Sequence, residues 1–221
     1  MKLSFVLRLG FSVWFALLGI TANAADDFLQ LLDNGVVCDA GAAGKYTLGI
    51  PALDGRGTHL PPLASSIKND GRTLTAAFGE PFAGVSLEMK ILAGGKVQYR
   101  YANLPKDLRI VMCQFNIDNS LISQGVAVSF DGGKALAIPV EPGKTNKDAS
   151  LANVNASKME LGFPSGETLT MITPKPCWHG IQDSRVWGKK FVGICLTPFL
   201  TRDQPEGDVS TFVLEFTVSG K

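Results

Sequence analysis

The sequence predicts an all-β fold of two packed antiparallel sheets, a β-sandwich or jelly roll with few or no helices. Apolar and polar side chains alternate with period two along most of the chain, as in strands that bury one face. The 24 glycines and 12 prolines recur too often for long helices. Short strands at regular spacing, joined by turns, account for both observations.

The N-terminal 24 residues have the organisation of a secretory signal peptide. Lys2 and Arg8 precede an apolar run from Leu9 to Ile20, and Ala22-Asn23-Ala24 has the small-x-small pattern that signal peptidase recognises. The run is shorter than the roughly 20 residues that span a bilayer. We therefore expect cleavage after Ala24 and export to the periplasm or the cell exterior, with no membrane segment afterwards.

The charge balance of the remaining chain argues against nucleic acid as a partner. Without Lys2 and Arg8, 19 basic residues stand against 20 acidic ones, and no run of like charge occurs. Proteins that bind phosphate backbones normally carry a basic stripe. Neutral ligands fit this composition better. Residues 25–221 are expected to form one domain, because no linker divides them.

Three hairpins and a final strand form the predicted core. Each hairpin has two alternating segments around a Gly-containing turn. The segments are 85–91 and 97–101, 126–130 and 135–140, and 159–163 and 168–172. Tyr99 and Tyr101 continue the apolar face of Val97, which favours a role lining the core. Phe212, Leu214, Phe216 and Val218 predict a C-terminal strand with one buried face.

The segment from Pro176 to Gly188 concentrates residue types that are scarce elsewhere, and it interrupts the strand pattern around it. It holds both tryptophans that remain after signal cleavage and one of the two histidines. The candidate ligand-binding residues are Trp178, His179, Gln182, Asp183, Arg185 and Trp187. His59, in a Gly- and Pro-rich segment, could border the same rim.

These residue types suit a sugar ligand. An indole ring can stack on the C–H face of a pyranose, while amide, carboxylate and guanidinium groups bond its hydroxyls. A structural interpretation competes with this one. The tryptophans can be packing residues at the ends of strands, Asp183 and Arg185 can form an ion pair, and Arg185 can stack on Trp187 as a cation–π pair.

Together with the hairpin pattern, the Gln182-Asp183-Ser184-Arg185-Val186-Trp187-Gly188 turn resembles β-sandwich modules of secreted bacterial glycan-processing proteins. The resemblance implies a noncatalytic module that binds polysaccharide or oligosaccharide, or one that is accessory to polysaccharide processing. Related sandwiches carry active sites, so a polysaccharide lyase or glycoside hydrolase is an alternative. A lyase would need a base and an arginine, for which His179, Tyr99 and Arg185 are candidates. A structural protein of the periplasm or cell surface is a third interpretation.

Four cysteines in an oxidising compartment allow two disulfides with three connectivities. We favour a Cys177–Cys195 bridge, which would close a loop around the unusual segment and contribute about 3 kcal/mol. That pairing leaves Cys38 and Cys113 for a second bridge. Alternatively, Cys113 and Cys195 are small buried side chains. No Cys-x-x-Cys pair occurs and the two histidines are far apart, so we expect no metal site and no cofactor.

Overall fold

The computed structural model describes residues 28–55, 58–105, 108, 110–199 and 209–220, so the predicted signal peptide lies outside the described residues. These residues form sixteen strands, one short α-helix and four 3₁₀ helices. The strands are β1 (Leu29–Leu32), β2 (Gly35–Asp39), β3 (Lys45–Gly49), β4 (Ala52–Gly55), β5 (Thr58–Leu60), β6 (Lys68–Asn69), β7 (Thr73–Ala77), β8 (Ser86–Leu92), β9 (Lys96–Ala102), β10 (Ile110–Asp118), β11 (Ala127–Phe130), β12 (Leu136–Ala137), β13 (Ser150–Gly162), β14 (Thr168–Asp183), β15 (Phe191–Phe199) and β16 (Val209–Ser219). The helices are α1 (Asn119–Ile122) and the 3₁₀ turns Gly41–Ala43, Ala64–Ser66, Asn146–Ala149 and Ser184–Trp187.

Antiparallel pairing joins the strands in the order β1-β2-β3-β10-β15-β14-β16-β9-β8-β7-β6. β13 pairs with β14, β11 pairs with both β13 and β12, and β4 pairs with β10 and β5. The strands at the two ends of this order, β1 and β6, also contact each other, because Asn69 Nδ2 of β6 donates to the Leu31 carbonyl of β1 at 3.1 Å. The predicted all-β antiparallel sandwich is confirmed.

β14 passes from one layer of the sandwich to the other. Residues 168–172 pair with β16, whereas residues 178–183 pair with β15. Pro174 and Pro176 lie between the two halves and have no N–H to donate to a ladder. The partner strand β13 also shifts register at this point, between Ala156 and Lys158. The bend places the second half of β14 next to β15.

The core forms as the alternation predicts. Met89 of β8 and Tyr99 and Tyr101 of β9 are fully buried, and the Tyr99 ring stacks on Phe212 of β16 with centroids 4.6 Å apart. The core-lining role of the tyrosines is therefore confirmed, as is the buried face of the C-terminal strand, in which Leu214 is also fully buried.

The three predicted hairpins are present, with different lengths. β8 and β9 pair around a tight turn in which Gly94 (φ 75°) and Gly95 (φ 71°) adopt the left-handed conformation that favours glycine. β12 has only two residues, so the second hairpin is shorter than predicted. β13 and β14 extend the third hairpin well beyond the predicted segments.

The structure corrects the prediction for the segment from Pro176 to Gly188. β14 continues without interruption to Asp183, and the chain leaves the sheet only in the 3₁₀ helix Ser184–Trp187. Gly188 (φ 75°) ends that helix in the left-handed conformation. Among the described residues, no helix has the length and apolar character needed to cross a membrane.

Candidate functional site

A cleft of about 550 Å³ lies on the solvent-facing side of the layer in which β3, β10, β15 and β14 are neighbours. Its volume is typical of small-molecule sites. The polar residues that line it are Asn34, Thr47, His59, Gln114, Asn116, Gln182 and Ser184. Of the described lining residues, none carries a carboxylate, ammonium or guanidinium group.

Strand β10 presents two of these amides because its side chains alternate. Phe115 and Ile117 are buried in the core, so Gln114 and Asn116 face the cleft. Gln114 Nε2 donates to Asn116 Oδ1 at 2.8 Å. This bond holds the two amides side by side and uses only one donor and one acceptor position of the pair.

Gly193 of β15 forms the floor between the amides. Its strand neighbours are Asn116 on one side and Gln182 on the other. A Cβ atom at this position would lie 3.3 Å from Gln114 Nε2 and 3.7 Å from Asn116 Oδ1. The row Asn116–Gly193–Gln182 is therefore a trough with an amide on each wall. In the adjacent row on the same face, Cys195 pairs with both Gln114 and Gly180.

The second half of β14 divides the predicted ligand-binding residues between two faces. Trp178 and Gln182 point to the solvent side, and Gln182 lines the cleft. His179 and Asp183 point inward and are fully buried. The alternation of a strand produces this division directly.

Trp178 adjoins the end of the cleft. Its side chain is 39% exposed. Its ring lies across Gly180, where a Cβ atom would come within 2.5 Å of the ring atoms Cη2 and Cζ2. Because Gly180 lies opposite Cys195, which lines the cleft, the indole face extends the cleft along β14.

Asp183 and Arg185 form a buried ion pair. Arg185 Nε donates to Asp183 Oδ1 at 2.7 Å, and Nη2 donates to Oδ2 at 2.9 Å. Burial alone would raise the pKa of Asp183, but the hydrogen bonds and charge of Arg185 hold that pKa below its ordinary value. Asp183 also caps the following helix by accepting from the Arg185 backbone N–H.

The remaining N–H groups of Arg185 connect this pair to other segments. Nη1 donates to the Val140 carbonyl at 2.7 Å and to Asn119 Oδ1 at 3.1 Å, and Nη2 donates to the Pro139 carbonyl at 2.7 Å. The guanidinium group therefore ties the end of β14 to the segment before Asn146–Ala149 and to α1. The contacts match the structural interpretation, in which Asp183 and Arg185 form an ion pair with each other.

Trp187 lies at the end of the 3₁₀ helix and is 50% exposed. Its indole Nε1 donates to Asn146 Oδ1 at 3.0 Å, which fixes the ring against the neighbouring 3₁₀ helix. Trp187 does not line the cleft, but Ser184, which begins the same helix, does.

His179 is enclosed by the core. Its Nδ1 lies 3.0 Å from the Cys177 carbonyl, and its ring meets Phe130 edge-on with centroids 5.5 Å apart. Burial lowers the pKa of His179, because desolvation disfavours the imidazolium form. A neutral ring that donates from Nδ1 fits these surroundings.

The predicted Cys177–Cys195 disulfide is wrong, and Cys38, Cys177 and Cys195 are buried free thiols. Cys195 pairs with Gly180, three residues along β14 from Cys177, and this odd offset places the two thiols on opposite faces of the sheet. Burial raises the pKa of Cys177 to about 11 and of Cys38 to about 12, and it raises the pKa of Cys195 as well. The side chain of Cys113 lies outside the described residues.

The sequence analysis missed most of the cleft. Asn34, Thr47, Gln114 and Asn116 lie far before Gln182 in the sequence, and only the structure brings them beside it. One signal was available, since amides alternate with apolar residues over Gln114–Ile117 and mark a polar face on that strand. His59, a candidate for the rim of the site, lines the cleft. Within the described parts of the chain, no cluster of three or more His, Cys, Asp or Glu side chains could hold a metal ion.

Comparison with known proteins identifies the fold and no family. No protein-family model matches the chain, and no curated protein matches it in sequence. The structure is similar to an α-N-acetylgalactosaminidase from Bifidobacterium bifidum solved with GalNAc, with a TM-score of 0.52 and 13% identity. The match covers 87% of this chain but only 35% of that protein.

Two other solved structures match more weakly. A putative aldose 1-epimerase from Escherichia coli K12 has a TM-score of 0.42 and 12% identity, over 87% of this chain and 83% of that one. A galactose mutarotase-like protein from Lactobacillus casei has a TM-score of 0.39 and 12% identity, over 88% of this chain and 81% of that one. At 13% identity, the likeness to the α-N-acetylgalactosaminidase concerns the fold alone.

Proposed function

We propose that the chain is a noncatalytic carbohydrate-binding module of an exported protein, which holds a neutral part of a glycan in the cleft. The observation that carries the proposal is the row Asn116–Gly193–Gln182, with an amide on each side of a glycine floor. Such a module would bring an accessory or processing activity to polysaccharide. The expected signal peptide supports the exported location.

The chemistry of the lining matches that of sugar hydroxyls. Each hydroxyl both donates and accepts, and an amide side chain offers both functions in one plane. Trp178 adds a flat apolar surface next to Gly180, against which the C–H face of a pyranose can pack. The fold similarity to a glycosidase solved with GalNAc is consistent with a ligand of this class.

The same geometry supports binding over catalysis. A glycosidase generally requires two carboxyl groups on either side of the scissile bond, and the described residues that line the cleft include none. The candidate lyase residues do not share a surface. Tyr99 is buried against Phe212, His179 lies in the core, and the guanidinium group of Arg185 is bonded to Asp183.

Titration of intrinsic tryptophan fluorescence tests the proposal on residues 25–221, with a panel of neutral oligosaccharides and polysaccharides. Trp178 beside the cleft should report binding as a saturable change. Asn116→Ala and Gln182→Ala should each weaken binding about fivefold to tenfold, the usual effect of one lost hydrogen bond. Gln30→Ala, at an exposed amide of β1, is the matched control and should bind as the parent chain does.

Two results would overturn the proposal. One is the absence of saturable binding to every neutral glycan, which would favour a structural protein. The other is release of sugar products during incubation with a bound glycan, measured by chromatography, which would favour the enzyme alternative.

A further inference from the structure

Beside the cleft, an exposed tryptophan lies where two short segments that carry lysines meet. Lys144 precedes the 3₁₀ helix Asn146–Ala149 and Lys147 lies within it. Lys189 and Lys190 follow the 3₁₀ helix Ser184–Trp187. The two helices contact each other, and all four lysines are exposed. We call Trp187 and these four lysines the Trp187 surface.

The indole ring of this surface is held in place without being covered. Its N–H donates to Asn146 Oδ1 at 3.0 Å, across the contact between the two helices. The contacts of Arg185 with Asp183 and with the Pro139 and Val140 carbonyls anchor the same helix from beneath. A ring with a fixed orientation and half of its surface open loses little conformational entropy when a ligand stacks on it.

The segments around the ring carry a small excess of positive charge, since the four lysines outnumber Asp118, Glu141 and Asp148. Asp148 is directed at the backbone, where it accepts from the Lys144 N–H at 3.0 Å and the Thr145 N–H at 2.8 Å. The charge of Arg185 is matched by Asp183. None of the four lysines forms an ion pair with any residue that the structure describes. Glu141 is the other acidic residue of the 139–149 segment, and Asp118 pairs with Phe191 next to Lys190.

The Trp187 surface begins where the cleft ends. Ser184 lines the cleft and is the first residue of the helix that ends at Trp187. On the other side, the Asn119 N–H donates to the Lys190 carbonyl at 2.9 Å, just beyond the end of β10, the strand that carries Asn116. A chain-like ligand that follows the outer face of β14 past Gln182 would therefore reach the lysines.

We infer that the Trp187 surface binds an acidic sugar unit, bearing a carboxylate or sulfate group, of the same glycan whose neutral part occupies the cleft. The inference rests on the proposed function and specifies its ligand as an acidic oligosaccharide. Lysine ammonium groups attract such anions as point charges, and the indole face packs on the ring that carries them. The near-neutral charge of the whole chain conceals this local excess.

Titration calorimetry with two oligosaccharides of equal length, one neutral and one containing uronate, tests the inference at low and at physiological salt. The parent chain should bind the acidic ligand more tightly, and the difference should shrink as salt screens the charges. The double variant Lys147→Gln/Lys189→Gln should lower affinity for the acidic ligand about threefold to tenfold and leave neutral binding unchanged. Lys68→Gln/Lys90→Gln, which removes the same charge from exposed positions on β6 and β8, is the control.

The outcomes separate the two proposals. Equal affinity for both ligands, or equal losses in the two double variants, would overturn the acidic subsite while neutral binding still supported the cleft. Lysine-dependent binding to anionic vesicles or duplex DNA, without tighter binding of the uronate ligand, would also overturn it. If the parent chain bound the uronate ligand but did not bind the neutral ligand, the cleft proposal would be overturned instead.

Discussion

The two faces of β14 carry similar residue types and offer them to different partners. On the inner face, the polar groups of His179 and Asp183 are enclosed by the protein, and Asp183 is matched by Arg185. On the outer face, Trp178 and Gln182 remain open to solvent beside the cleft. A segment rich in polar and aromatic residues therefore does not define a binding site until each side chain is assigned to a face.

The difference has a physical origin. A charge that leaves water must be compensated within the protein, so an inward-facing carboxylate requires a partner such as Arg185. An outward-facing amide is under no such constraint and keeps its donors and acceptors for a ligand. Substitutions on the inner face should mainly change stability, and substitutions on the outer face should mainly change binding.

The largest effect is expected from Arg185→Met on the inner side. It leaves Asp183 buried without its partner and should lower the free energy of unfolding by about 3 to 5 kcal/mol. Urea unfolding followed by circular dichroism measures this loss. The control is Lys45→Met, which removes an exposed ion pair with Asp39 and should cost at most about 1 kcal/mol. Equal losses of stability in the two variants would contradict the distinction between the buried and the exposed pair.

A smaller effect is expected from acid, through His179. The folded chain depresses the pKa of His179, so below its unfolded value of about 6.5 the unfolded chain binds more protons. Stability should be full above that pH and fall as the pH decreases towards 5, by at most about 2 kcal/mol. Urea unfolding at each pH provides the measurement. His179→Asn should remove most of this dependence of stability on pH, whereas His59→Gln should retain it. The same dependence in both variants would contradict the assignment of the effect to His179.

The outer face should respond to a single methyl group at the cleft floor. Gly193→Ala places a Cβ atom 3.3 Å from Gln114 Nε2, and we expect about fivefold weaker glycan binding with little change in stability. Fluorescence titration and thermal melting separate the two quantities. Gly162→Ala, where an added Cβ meets no atom within 4 Å, is the control, and unchanged binding in Gly193→Ala would place the ligand elsewhere.

The smallest perturbation is chemical labelling of the thiols on the two faces. Cys177 faces inward and Cys195 outward, and burial raises the pKa of both. Both should stay unlabelled by iodoacetamide in the native protein and become labelled in denaturant without reductant. Peptide mapping identifies the sites. A Cys177–Cys195 disulfide in that map would require both thiols on one face and would contradict the assignment of the faces.

Local patterns in the sequence predicted much of the fold. The alternation around Tyr99, Tyr101 and Leu214 identified buried faces, because period-two burial is a property of each strand by itself. The disulfide prediction, which rested on the loop between Cys177 and Cys195, failed because the relation between the two thiols depends on the register of two strands. The predicted strand also ended too early, at residue 172, because the prolines at 174 and 176 are typical of a strand end unless a bend between sheet layers accommodates them.

The sequence by itself determined that the chain is an antiparallel all-β protein with a tyrosine-lined core, because hydrophobic alternation and turn residues act over a few neighbouring positions. It also marked the unusual segment. Only the tertiary structure decided which of those side chains face the solvent and that Asn116, Gly193 and Gln182 form one row. Strand pairing joins residues that are distant in the chain, and no local pattern encodes that register.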